Sequence, residues 1–216
     1  MHRVLVVAAH PDDELLGAGG TVIKHADNGD CVRTVLMCEG ESLRYGKNSG
    51  QDEAITEAAQ ILGVSRPITL GYPDQRLDTY TLTELIRPLE EISREYRPDI
   101  VYCQWGGDAN RDHQIVFEAA NIAFRPLDGQ LTEFYCFYTV SSTEWAYPRS
   151  FVPDTWSDIS GVLERKIHAF QCYKSEVRAY PHPRSVKALE FAAHFWGNQC
   201  CLDAAEAFMT IRRILK

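Results

Sequence analysis

The chain has 216 residues, of which 45% are hydrophobic, enough for one core and within the usual span of a single α/β domain. Its formal net charge of −8 is spread without a basic block, which argues against nucleic-acid binding through phosphate neutralisation. No apolar run reaches the length of a membrane span, no signal peptide is read ahead of the strand beginning at Arg3, and the seven cysteines form no CxxC pair. A cytoplasmic protein in a reducing compartment is therefore expected.

In chain order, Val4 to Ala9 is a short apolar run typical of a strand buried on both faces of a parallel sheet, predicted over 3–9. Pro11 fixes its own φ and biases His10 towards extended geometry, so the strand ends there. His10 and Asp13 lie three apart across that turn, close enough to share one ion. Asp12 between them points elsewhere, which leaves it free to act as a base. A helix is predicted over 17–28. Gly17, Gly19 and Gly20 lack the GxGxxG order of a phosphate cradle, so close helix–sheet contact explains them better.

Further strands are predicted near 31–38, 66–70, 99–103 and 132–140, and helices near 51–62, 81–96, 112–124, 158–172, 186–196 and 203–214. Cys31, Cys38, Cys103 and Cys136 fall within strand-like runs, where cysteine behaves as a small apolar residue. Strands and helices alternate through residue 124, which indicates right-handed βαβ crossovers. The expected fold is a three-layer, Rossmann-like α/β domain spanning 1–216, with a mostly parallel sheet flanked by helices. Residues 141–157 and 174–185 read as ordered loops near the site.

A second polar cluster, Trp105 to His113, also follows an apolar strand and precedes a helical pattern. Both clusters are strand-to-helix loops, so both fall on the edge of the sheet where open α/β folds bind ligands. A catalytic zinc has three protein ligands and one open position, and His113 is the best third candidate beside His10 and Asp13. Two histidines and a carboxylate also make the facial triad of iron oxygenases. Those enzymes use an HxD spacing on a β-rich fold, whereas this chain has HxxD on a βαβ pattern. A zinc-holding scaffold without catalysis is a third reading.

The block Ala9-His10-Pro11-Asp12-Asp13-Glu14, followed about a hundred residues later by Asp112-His113, resembles the LmbE/PIG-L family of zinc-dependent N-deacetylases. The likeness continues through Leu62-Gly63-Val64, Gly71-Tyr72-Pro73-Asp74, Leu77-Asp78 and Arg97-Pro98-Asp99. It implies that His10, Asp13 and His113 bind one Zn²⁺, that Asp12 is the general base, and that the substrate is an N-acetylated amino sugar or a related amide. It also implies a homo-oligomer. Cleavage of a thiol–sugar conjugate is the alternative activity within the same likeness.

The sequence departs from that pattern in three places. Asn110 stands where many members carry an oxyanion-stabilising histidine; its amide can donate a hydrogen bond but cannot carry a proton. Asp108 stands where some members have a tyrosine, and is taken as a substrate contact. A sugar-binding arginine has no match near Gly50, and Arg44 is the replacement candidate. Finally, Arg178, His182 and Arg184 lie in a proline-stiffened loop suited to binding sugar hydroxyls or phosphate, so a phosphorylated or nucleotide-linked sugar is a candidate substrate.

Overall fold

A computed structural model describes residues 1–40, 50–127 and 129–215. Its frame is a seven-stranded sheet in the order β3-β2-β1-β4-β5-β7-β6. The strands are β1 (Arg3–Ala8), β2 (Cys31–Cys38), β3 (Ile68–Tyr72), β4 (Ile100–Gln104), β5 (Glu133–Phe137), β6 (Thr155–Asp158) and β7 (Ala205–Arg213). The first five run parallel; β7 pairs antiparallel with both β5 and β6.

Central strand β1 shows why the sheet is buried on both faces. Val4, Val6 and Ala8 point into one core with Leu15, Ile55, Ala58 and Phe170. Leu5, Val7 and Ala9 point into the other with Leu85, Leu89, Val116 and Ala120. The first face is covered by α1 (Asp13–Asp27), α2 (Gln51–Leu62), α5 (Leu163–Gln171) and α6 (Val186–Asn198), the second by α3 (Leu82–Tyr96) and α4 (Arg111–Ala123). No helix among the described residues is long and apolar enough to cross a membrane.

From β1 the chain moves outward through β2 and β3, then returns to place β4 on the other side of β1. The strand order reverses between β1 and β4, and such a switch point opens a crevice at the carboxyl ends of the strands. The loops after β1 and β4 carry the two polar clusters of the sequence.

Three expectations are corrected. Residues 203–214 form strand β7, not a helix. Both its edges meet strands with unpaired backbone groups, and Thr210 and Ile211 are β-branched, so ladder pairing overrides the helical spacing of its apolar residues. Within 158–172 only Leu163–Gln171 is helical, and the preceding Thr155–Asp158 is edge strand β6. Helix α1 begins at Asp13 rather than 17, directly after the turn with Asp12 at its N-cap. It packs closely against β5 and the residue after β6: a Cβ on Gly17 would lie 2.0 Å from Phe137 Cδ2, and one on Gly20 2.6 Å from Ile159 Cγ2. Gly17 serves helix–sheet contact as expected, Gly20 admits the residue just after β6, and Gly19 instead faces Lys166 of α5. A buried ion pair, Lys166 Nζ to Glu206 Oε1 at 2.6 Å, ties α5 to β7, and Glu206 also accepts from the Gly20 and Thr21 amides of α1 at 2.8 Å.

Candidate metal centre and cleft

Each side chain of the centre sits at or just beyond the carboxyl end of a strand. His10 and Asp13 follow β1, Cys38 ends β2, Asp74 follows β3, Gln104 ends β4, and Asp108 to His113 follow it. The turn between β1 and α1 places Asp12 at φ 96°, the left-handed region, which aspartate tolerates better than bulkier residues. Its amide donates to Glu14 Oε2 at 3.1 Å, and the Tyr173 hydroxyl donates to Glu14 Oε1 at 3.2 Å. Burial pushes the Glu14 carboxyl up to about 7.

His10, Asp13 and His113 converge, with ligand atoms within 4.8 Å of one another and the two rings 5.4 Å apart. Asp13 Oδ2 is the hub. It lies 3.1 Å from His10 Nδ1 and 3.2 Å from His113 Nε2, and accepts from Gln104 Nε2 at 2.8 Å. Gln104 is fixed in turn by accepting from the Ala9 amide at 2.7 Å.

The outer nitrogens face carboxylates as well. His10 Nε2 is 3.0 Å from Asp112 Oδ2 and 3.1 Å from Asp74 Oδ1. His113 Nδ1 is 3.3 Å from Asp108 Oδ1, an electrostatic approach rather than a hydrogen bond, since the nitrogen makes none. A neutral imidazole has one N–H. If the outer nitrogens keep it towards Asp112 and Asp108, both inner nitrogens aim lone pairs at an anionic oxygen. That arrangement calls for a cation between them. Burial opposes charging of both imidazoles, but the surrounding carboxylates win and raise their pKa values. For Asp13, burial is outweighed by the two imidazoles, which hold its carboxyl well below the ordinary range. Asp13 Oδ1 is buried without a partner. The donor set fits a divalent cation on these three residues, with outer carboxylates orienting the imidazoles as in carboxylate–histidine–zinc triads.

Asp12 is not free, as the sequence suggested. Its Oδ2 accepts from Arg184 Nη1 at 2.9 Å, and the same guanidinium bonds Glu176 and, through Nε at 2.8 Å, the hydroxyl of Ser141. Asp12 Oδ1 is buried and unpartnered. Burial raises the Asp12 carboxyl well above its ordinary value, Arg184 pulling the other way. Asp12 and Asp13 lie beneath a cleft of about 280 Å³ lined by His10, Asn110, His113, Ser141, Ser142, Trp145, Glu176, Arg178, His182 and Arg184.

The cleft thus unites Arg178, His182 and Arg184 with the centre. Asp108 is not on it. Fully buried, its oxygens accept from the Asn110 amide at 2.9 Å, Thr143 Oγ1 at 2.6 Å and the Ser142 hydroxyl. No face of Asp108 is left for a substrate; it backs His113. Asn110 lines the cleft while its Oδ1 caps α4 by accepting from the Asp112 amide at 2.9 Å. Arg44 lies outside the described residues. Sequence reasoning missed Gln104, Glu176, Tyr173 and Trp145, none of which belongs to a recognisable block.

Two buried histidines and an aspartate at the switch point of a doubly wound sheet, beneath a polar cleft, define a class of α/β proteins with a candidate metal site. Residues 5–124 match the family described as PIG-L, GlcNAc-PI de-N-acetylase, and the chain belongs to that deacetylase family. It is 28% identical over 190 residues to the diacetylchitobiose deacetylase of Thermococcus kodakarensis, covering 81% of this chain and 70% of that protein. Among solved structures it is similar to the conserved protein TT1542 of Thermus thermophilus, with a TM-score of 0.82 and 25% identity over 100% of this chain and 97% of that one. The 4-carboxy-2-hydroxymuconate hydratase GalB of Pseudomonas putida shares the fold, with a TM-score of 0.79 and 22% identity over 100% and 98%. The fold alone therefore does not choose the reaction; the site must.

Proposed function

We infer that the protein is a zinc-dependent hydrolase that removes the acetyl group from an N-acetylglucosamine-type amino sugar. The observation that carries this reading is Asp13 Oδ2 standing 3.1 and 3.2 Å from the inner nitrogens of two buried imidazoles, beside the unpartnered oxygen of Asp12. Two imidazoles, one carboxylate and an open position are a set catalytic zinc uses. When bound, the metal would polarise the acetamide carbonyl and lower the pKa of water to about 7.

The chain's own residues supply the rest. Asp12 Oδ1 accepts a proton from the attacking water and returns it to the departing amine, so that acetate and the free amino sugar leave. Arg184 and Glu176 hold Asp12 in place from the cleft side. The Asn110 amide nitrogen donates to the oxyanion as it develops, its carbonyl oxygen being committed to the helix cap. Asp108, Asp112, Asp74 and Gln104 orient the ligands.

An acetate-release assay over a panel of N-acetyl sugars and thiol–sugar conjugates tests this. The expected result is acetate from N-acetylglucosamine-containing compounds, abolished by a chelator and restored by Zn²⁺. Cleavage of conjugates without acetate release would replace the deacetylase reading by the amidase one. A zinc-loaded protein that hydrolyses nothing in the panel would leave only a metal-holding scaffold.

A further inference from the structure

The end of the sheet opposite the metal centre, where the parallel strands begin, holds two cations without a counter-ion. Side chains alternate along a strand, so Arg3 shares a face of β1 with Leu5 and Val7, and Cys31 and Arg33 share a face of β2 with Val35 and Met37. Leu5, Val7, Val35 and Met37 all enter the core beneath α3 and α4. That apolar face therefore ends in two arginines and a thiol. The ladder sets Arg3 beside Cys31 and Leu5 beside Arg33, which puts the two guanidiniums on neighbouring strands.

Tyr96, the last residue of α3, holds both of them. Its hydroxyl is anchored between the strands, donating to the Cys31 carbonyl at 2.6 Å and the Val4 carbonyl at 3.2 Å. Over the fixed ring, the guanidinium carbon of Arg3 lies 4.9 Å and that of Arg33 4.7 Å from the centroid. Burial pushes the Tyr96 phenol up to about 12, with the charges of Arg33 and Arg3 pulling the other way. Among the described residues neither guanidinium has a carboxylate partner. The acids beside them are committed elsewhere. Asp30 accepts from the His2 amide at 2.7 Å and faces His25 Nδ1 at 2.8 Å, and Asp99 accepts from the Arg3 amide at 2.9 Å.

Two like charges held on one ring repel each other, and an anion bridging them removes that repulsion. A guanidinium presents paired N–H donors at the spacing of phosphate oxygens, which makes a phosphate group the best match. A hollow of about 460 Å³ adjoins them, lined by Arg3, Asp30, Cys31, Arg33, Ser65 and Tyr96. That volume accepts a phosphate with a small group attached. Two cations in a chain of net charge −8 suit a small molecule rather than a nucleic acid.

We propose that Arg3 and Arg33, clamped on Tyr96, bind a phosphate group, free or carried by a small metabolite, at the end of the sheet remote from the metal centre. Cys31 reports on the site: unlike Cys38, Cys103 and Cys136 it is exposed, and it lines the hollow. The test follows alkylation of each cysteine by iodoacetamide, an uncharged reagent, using peptide mass spectrometry on the zinc-loaded full chain at constant ionic strength. Only the free protein reacts at Cys31, so inorganic phosphate at about ten times its half-protecting concentration should slow that residue about elevenfold. The exposed Cys200 and Cys201 should react as before. Glycerol 3-phosphate should protect Cys31 and glycerol should not. If glycerol 3-phosphate acts at a lower concentration than phosphate, the ligand is a phosphorylated metabolite; if at the same or a higher one, it is the bare anion. Arg3→Gln and Arg33→Gln, each keeping an aliphatic stem on the ring, should abolish the protection. Phosphate taken up at the metal centre would lie at the far end of β1 and be indifferent to both substitutions. Unslowed alkylation of Cys31 in the wild type, equal slowing of Cys200 and Cys201, protection by glycerol, or protection that survives both substitutions overturns the site.

Discussion

Asp12 and Asp13 are neighbours in sequence and have opposite surroundings. Asp13 is pressed between two imidazoles and stays ionised; Asp12 is buried against one guanidinium, with an oxygen left over. In the proposed mechanism that division gives the metal to Asp13 and the proton to Asp12. Asp12→Asn should therefore keep a wild-type metal content by atomic emission while kcat falls about 10²–10⁴-fold, the usual weight of a general base. His113→Ala should lose the metal instead. An Asp12→Asn protein that turns over at near wild-type rate would remove Asp12 from the chemistry. The role of Arg184 follows from the same contacts. Its guanidinium braces the base instead of standing ready for phosphate. Arg184→Ala should lower kcat by roughly 10–100-fold, as loss of an orienting partner does, and equally for neutral and phosphorylated sugars. A KM rise confined to phosphorylated substrates would return Arg184 to the phosphate role.

At the scale of elements, α1 matters most, because its first turn delivers Asp12, Asp13 and Glu14 to the site. The helix can lie there only because Gly17 and Gly20 let it approach Phe137 and Ile159. In Gly17→Ala the new methyl would overlap the Phe137 ring, and the expected cost by urea denaturation is about 1–3 kcal/mol, typical of overpacking. An unaltered midpoint would mean that α1 shifts freely. How much of this is legible in the sequence depends on distance along the chain. His10 to Glu14 is contiguous and lies at a strand end marked by Pro11, so both the turn and its chemistry can be read directly. His113 stands out because a second strand-to-helix loop repeats the pattern. Gln104 looks like an ordinary strand residue, and Glu176 and Tyr173 sit in a loop without motif; only tertiary packing brings them in. Periodicity misleads at β7, where Ala205, Ala207, Met209 and Ile211 alternate with Glu206, Thr210 and Arg212 but Phe208 interrupts the pattern and ladders on both edges hold the strand. Strand β6 is only Thr155–Asp158, too short to show a period.

Across the whole molecule, the sheet collects negative charge at one edge. Asp12, Asp13, Glu14, Asp74, Asp108, Asp112 and Glu176 are all buried near the switch point, against His10, His113 and Arg184. Carboxylates gathered in a low dielectric repel one another, and the cores on either side of β1 must hold them together. A divalent cation on His10, Asp13 and His113 relieves that repulsion in the folded state and has no comparable site in the unfolded chain, so binding adds to stability by mass action. At a free zinc concentration about 100 times the dissociation constant the gain is about 2.7 kcal/mol, which for a chain of this size raises the melting temperature by roughly 5–10 °C. Chelation should reverse that shift while far-ultraviolet circular dichroism stays the same, because the two apolar cores form without the ion. His113→Ala should melt at one temperature with or without zinc, since it lacks a ligand. Equal melting of chelated and zinc-loaded wild-type protein would mean that the imidazoles and Asp13 do not hold a cation together, and the hydrolytic reading of the cleft would lose its support.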